Sequence, residues 1–168
     1  MSRLFFALWP DAGTRSLLLS VLNKIPPECG RLIVAGNLHI TLVFLGNIDE
    51  GKTECILNQT EHITVPPFAL KLDQLGWWKK AETLWLAPAF IPPEVLTLEE
   101  KLKVCATECA VRIDERPYQP HVTLARKVRH QPDLPVIQPL DWRIKGFSLI
   151  QSETRPEGAR YKVIWSSV

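Results

Sequence analysis

The chain has almost no net charge. Twenty Lys and Arg against eighteen Asp and Glu leave a formal +2, too little to attract a polyanion by bulk electrostatics, so any anionic partner must be met by a local site. It also lacks a Cys-x-x-Cys pair. Cys29, Cys55, Cys105 and Cys109 are scattered, the last two one helical turn apart, and they read as buried thiols in preference to metal ligands or disulfides. No apolar run approaches the ~18–20 residues needed to span a bilayer. Met1-Ser2-Arg3 leads directly into a strand-like segment at 4–9, too short and wrongly flanked for a signal peptide. Low-complexity segments are absent. The expectation is a soluble cytoplasmic protein.

What is present is an ordinary globular composition. With 168 residues, 46% hydrophobic and 23% charged, the chain can bury one core, either as one domain or as two half-sized lobes sharing it. Asp11 can cap a helix whose apolar positions Leu17, Leu18, Val21, Leu22 and Ile25 recur at helical spacing until Pro26-Pro27 stops it. The β-branched and aromatic run at 38–45 predicts a strand, residues 50–63 a second helix, and 68–72 with 83–87 a hairpin around a turn-like Gly76-Trp77-Trp78-Lys79-Lys80. Pro92-Pro93 can open a third helix with Val95, Leu98, Leu102, Cys105, Ala106 and Cys109 on its apolar face. Strands follow at 121–126, 146–151 and 161–165, with a proline-rich connection over 131–139. Strands mixed with three helices and short connections predict an α+β fold with mostly antiparallel sheet.

One internal repeat carries chemistry. His39-Ile40-Thr41-Leu42 and His121-Val122-Thr123-Leu124 share the pattern His-x-Thr-Leu, 121 − 39 = 82 residues apart, close to half the chain, and a helix precedes each. On a strand, His39 and Thr41 share one face and Ile40 and Leu42 the other, and His121 with Thr123 repeats this. Two polar faces lining a shared cleft would place two imidazoles as an acid–base pair, both protonation states being accessible near the unperturbed pKa of ~6.5. The threonines can hydrogen-bond a phosphate oxygen without adding charge. A lone strand histidine is usually only a satisfied or partly exposed residue, but two of the four histidines in matching contexts point to a shared role. A metal site would want a third ligand; neither motif carries one, and His62 and His130 sit in ordinary polar settings.

These motifs resemble the signature of the 2H phosphoesterase superfamily. The words Asn37-Leu38-His39-Ile40-Thr41-Leu42-Val43-Phe44-Leu45-Gly46 and Arg116-Pro117-Tyr118-Gln119-Pro120-His121-Val122-Thr123-Leu124-Ala125-Arg126, with the opening Arg3-Leu4-Phe5-Phe6-Ala7 and the closing 161–165, are similar to the bacterial and archaeal RNA 2′,3′-cyclic phosphodiesterases, also called 2′-5′ RNA ligases. The resemblance runs nearly end to end. It implies one bilobal domain over 1–168, two pseudo-symmetric lobes each with an antiparallel sheet backed by helices, and a central cleft holding His39 and His121. It implies hydrolysis of an RNA terminal 2′,3′-cyclic phosphate to a 2′-phosphate with neither metal nor nucleotide cofactor, and reversal of that chemistry to join RNA ends through a 2′-5′ bond. It assigns His39 as the acid on the leaving 3′ oxygen and His121 as the base on water, a direction the residues alone leave open.

By the same resemblance Phe44 and Arg126, each five residues after its histidine, contact the nucleotide. Strict alternation conflicts with this, because it turns both away from the histidines. Two or three of Arg116, Lys127, Arg129, Arg155, Arg160 and Lys162 are candidates for guiding an RNA backbone, and Tyr118 and Pro120 either shape the cleft rim or pack beside it. Trp77-Trp78-Lys79-Lys80 is an aromatic–basic cluster that could stack a base, but it reads better as a hairpin tip anchored by one tryptophan. Three other readings compete: the same cleft acting on small cyclic or 2′,5′-linked nucleotides, a non-catalytic RNA-end binding module, and a zinc-binding protein. A monomer is expected, because each lobe already supplies the other's interface.

Overall fold

Helices begin where the sequence supplies a cap. The computed structural model describes residues 1–168, and in it the Asp11 carboxylate accepts the Thr14 amide at 2.7 Å to open α1 (Ala12–Leu22). Asp49 accepts the Lys52 amide at 2.8 Å to open α2 (Glu50–Thr60), and proline in the first turn opens α3 (Pro93–Glu108). α1 buries Leu18, Val21 and Leu22, whereas Leu17, expected on the same face, is exposed. α3 packs on the strand that follows the first histidine, and α2 packs on α3.

Ten strands follow in chain order: β1 (Ser2–Leu8), β2 (Arg31–Leu32), β3 (Ile40–Ile48), β4 (Phe68–Leu72), β5 (Gln74–Trp78), β6 (Thr83–Ala87), β7 (Val122–Arg126), β8 (Leu140–Ile144), β9 (Ser148–Arg155) and β10 (Gly158–Ser166). Eight of them form one antiparallel sheet in the order β10-β9-β1-β3-β7-β6-β5, with β2 attached to β7. The fold is α+β and bilobal: β10-β9-β1-β3 makes one lobe and β7-β6-β5 with β2 the other. The lobes are joined by a single register pair, Ile40 opposite Val122. Beyond that rung β3 and β7 part, and β2 takes the far end of the same edge of β7, Arg31 pairing with Arg126 and Leu32 with Ala125. A cleft is left where the strands part.

The expected hairpin of 68–72 with 83–87 does not form. β4 pairs with β8 in a separate two-stranded ladder, both strands alternating strictly between buried and exposed positions. Of the segment read as a turn, Gly76-Trp77-Trp78 belong to strand β5, which makes the actual hairpin with β6, and Lys79-Lys80 lie in the turn between them. β2, only two residues long, and β8 find their places only through pairing with the distant β7 and β4, whereas β5 pairs locally with β6 and is hidden by the turn-like look of Gly76-Trp77-Trp78. Gly76 is required where it stands. It lies opposite Trp85, whose ring covers it so closely that an added Cβ would fall 2.0 Å from a ring carbon.

The cysteines also depart from expectation. Cys29 and Cys105 are free thiols, but Cys55 of α2 and Cys109 at the end of α3 form a disulfide. Their separation of 54 residues hid the pairing, since only the packing of α2 on α3 brings them together. Reducing cytosols generally keep such pairs as thiols, and there Cys55 and Cys109 would stand as a neighbouring dithiol across the α2–α3 contact.

Two outcomes are expected from this packing. Gly76→Ala should destabilise the fold by about 1–3 kcal/mol through overpacking against Trp85, seen as a lower urea midpoint with an unchanged slope. Reduction of the disulfide should lower the same midpoint, by up to about 4 kcal/mol on loop-closure entropy; a midpoint indifferent to dithiothreitol would mean the bond does not form in solution.

Candidate active site

Both His-x-Thr-Leu motifs open onto the cleft between the lobes, which has a volume of about 650 Å³ and is lined by His39, Thr41, Phe44, His121, Thr123 and Arg126 together with residues of β1, β2, β9 and β10. All six residues singled out by motif and resemblance therefore meet there. Each histidine lies one residue before its strand, half-buried, and its Nδ1 meets a backbone carbonyl two residues earlier: Asn37 O at 2.6 Å from His39 and Gln119 O at 2.8 Å from His121. A carbonyl only accepts, so in each ring Nδ1 carries the proton and Nε2 is left to face the cleft. His39 Nε2 lies 2.9 Å from Thr41 Oγ1, close enough for the threonine hydroxyl to donate to it.

Phe44 and Arg126 reach the cleft through β-bulges. In the β1–β3 ladder Phe6 pairs with Val43 and Ala7 with Thr41, which leaves Leu42 without a partner. Across β6–β7, Leu84 pairs with Ala125 and Trp85 with Thr123, which leaves Leu124 over. An extra residue on one strand shifts its phase by one, so Thr41 and Phe44 come to share a face, as do Thr123 and Arg126. The bulged residue is in both cases the leucine of the motif. The apolar doublets Leu42-Val43 and Leu124-Ala125, buried together, are the sequence trace of this break in alternation, and they went unread as such.

Burial lowers the His39 imidazole from its ordinary value to about 4, against the opposing pull of the Asn37 carbonyl; the charges of His121, Arg126 and Arg15 push it down further. His121 is lowered as well, by burial first and by Arg126 in addition, with the Gln119 carbonyl opposing. Both rings therefore rest neutral near pH 7. Around His39 stand Phe5, Trp9 and Tyr161, with ring centroids 5.0, 5.8 and 5.2 Å away. Trp78 stands edge to face with His121 at 4.6 Å.

Several contributors were not legible beforehand. Arg15 of α1 donates to Ala35 O at 2.6 Å and to Leu38 O at 3.3 Å, pinning the segment that delivers His39, and its guanidinium covers Trp9. Tyr118 donates its hydroxyl to Thr41 O at 2.9 Å from behind the cleft, a packing role and not a rim position. Trp77 donates to Val128 O at 2.9 Å and is the anchoring tryptophan, but its neighbour Trp78 belongs to the site. None of Arg116, Lys127, Arg129, Arg155, Arg160 and Lys162 lines the cleft; its arginines are Arg3, Arg31 and Arg126, with Arg3 placed over the Phe44 ring at 5.1 Å. No three His, Cys, Asp or Glu side chains converge as a metal-binding group would require, and no helix is long and apolar enough to cross a membrane.

Comparison with known proteins identifies the family. The RNA 2′,3′-cyclic phosphodiesterase of Escherichia coli is 33% identical over 79% of this chain and 76% of its own length. That of Thermus thermophilus is 32% identical over 96% of this chain and 87% of its own. A crystal structure of E. coli LigT complexed with 3′-AMP superposes with a TM-score of 0.86 at 29% identity, covering 98% of this chain and 96% of that one. The model of the 2′-5′ RNA ligase superfamily matches residues 29–156, a span that holds both histidine motifs and their bulges, and the chain belongs to that superfamily.

Proposed function

We propose that this protein hydrolyses terminal RNA 2′,3′-cyclic phosphates to 2′-phosphates by acid–base catalysis between His39 and His121. The observation that carries the reading is the pair of imidazoles held in one tautomer by equivalent backbone carbonyls, each offering Nε2 to the same cleft. A cyclic phosphodiester placed between them meets a proton acceptor on one side and a proton donor on the other, as in-line displacement requires. Water attacks phosphorus and gives its proton to His121 Nε2, the P–O3′ bond breaks, and His39 Nε2 supplies the proton to the departing 3′ oxygen. The Thr123 hydroxyl donates to a non-bridging oxygen, and the Thr41 hydroxyl does the same once His39 Nε2 is protonated and no longer accepts its proton. Phe44 offers a face on which a base can stack, and Arg126 a guanidinium for phosphate or base.

The depressed histidines fit this scheme once the substrate's charge is counted. In the free protein, burial and the neighbouring arginine keep both rings neutral; an anionic phosphate favours the protonated form, so one proton enters with the substrate. Ring strain in the cyclic ester makes a nucleotide cofactor unnecessary, and the same path run backwards with an RNA 5′-hydroxyl in place of water gives a 2′-5′ bond. The protein acts as a monomer on RNA ends inside the cell, without metal.

With EDTA present, the protein should convert a short RNA ending in a 2′,3′-cyclic phosphate to the 2′-phosphate, and His39→Ala or His121→Ala should each cost about 10²–10⁴-fold in kcat. An untouched RNA end alongside turnover of a small cyclic or 2′,5′-linked nucleotide would transfer the reading to that substrate class; a 3′-phosphate product would reverse the bond assignment. The pH dependence follows from the sign of the shifts. The reactive free protein carries one proton over the two rings, and because both titrate below 6.5, that form is most abundant below pH 6.5. The kcat/KM profile should therefore peak on the acid side of about 6.5; a peak above about pH 7 would contradict neutral resting imidazoles.

A further inference from the structure

Arg31 and Arg126 face each other as a cross-strand pair of β2 and β7. Like charges directly opposite one another destabilise a ladder, and no ion pair within the protein offsets this one. Neither guanidinium is in an ion pair, and neither donates a hydrogen bond to the protein. Both line the cleft, where the only carboxylate is that of Glu157. Two forked donors aimed at one volume, without an internal acceptor, match the oxygen spacing of a phosphate. The β9–β10 hairpin closes over the same spot. Gly158, at φ 131°, lies where an added Cβ would sit 3.2 Å from Arg31 Nη2, and the Asn37 side-chain amide, two residues before His39, holds the hairpin through Ala159 O at 2.7 Å.

The pair lies at the outer end of the cleft. Arg126 is five residues beyond His121, up to about 16 Å along an extended strand. β2 pairs with β7 at the end away from the Ile40–Val122 rung that lies beside both histidines. An anion held between the two arginines is therefore separate from the phosphate under attack and lies further along the strand direction. On a nucleic-acid end, the next anionic group is the phosphate on the 5′ oxygen of the terminal nucleoside.

We infer that Arg31, acting with Arg126, forms a second phosphate subsite that holds the phosphate on the 5′ oxygen of the terminal nucleoside, so that the cleft reads two consecutive phosphates of a strand end. This rests on the proposed hydrolysis of 2′,3′-cyclic phosphates and names the substrate feature that the far end of the cleft selects.

The test compares adenosine 2′,3′-cyclic phosphate, its 5′-phosphorylated form and an adenylyl dinucleotide ending in a 2′,3′-cyclic phosphate, using the full chain and its Arg31→Gln and Arg31→Lys variants. In the parent protein the two substrates bearing a 5′ phosphate should be turned over with kcat/KM at least about tenfold above the unphosphorylated one, a preference that weakens with salt. Arg31→Gln should erase most of that ratio, chiefly through KM, and Arg31→Lys should restore part of it. A free 5′ phosphate that matches the dinucleotide would mean the subsite accepts a terminal phosphate; a preference for the dinucleotide alone would mean it needs an internucleotide link. A parent ratio near one, or a ratio that survives Arg31→Gln, would overturn the subsite while leaving the hydrolytic reading intact. A parent protein inactive on all three would overturn the proposed function and the subsite with it.

Discussion

The rung between Ile40 and Val122 is the constraint on which the site depends. It is the single register pair between β3 and β7, and each partner directly follows a histidine. An antiparallel pairing at that point sets His39 toward the Thr123 side and Thr41 toward the His121 side, so the spacing of two imidazoles from distant parts of the chain is fixed by two backbone hydrogen-bonding residues. Ile40 and Val122 are both fully buried and hold the rung from the core side, with α3 packed behind β3. The cleft opens because pairing stops there: β3 and β7 separate, and β2 occupies the remaining edge.

Burial and catalysis are linked through the same geometry. The aromatic walls around His39 exclude water and drive its imidazole toward neutrality, while a backbone carbonyl two residues upstream fixes which nitrogen is free. His121 repeats the carbonyl and replaces the three-ring enclosure with Trp78. The two halves thus share a way of orienting the ring but differ in how far they dry it. That asymmetry distinguishes two residues that the repeated motif alone leaves equivalent, and it is a property of neighbouring strands.

Much of this was written locally in the sequence. The cap at Asp11, the proline start of α3 and the strand pattern around both histidines are short-range signals, and the structure follows them. The motif residues meet in one cleft because their chemistry and their repeat share a cause. What could not be read locally depends on partners far away. β4 alternates perfectly, yet nothing in its own residues selects β8 over β6. Cys55 and Cys109 meet only through helix packing, and Arg31 acquires its meaning only when β2 pairs with β7 and brings it opposite Arg126. The strict period of two also failed at Leu42 and Leu124, where tertiary pairing inserts a bulge.

Those two bulges make the site a matter of counting. Within His-x-Thr-Leu and the two residues that follow, side chains can change while the cleft keeps its shape, but the loss or gain of one residue between Thr41 and Phe44, or between Thr123 and Arg126, would exchange the wet and dry faces of everything downstream in that strand. Change in this region is therefore confined to substitution, and the spacing of the motif is held as firmly as its histidines.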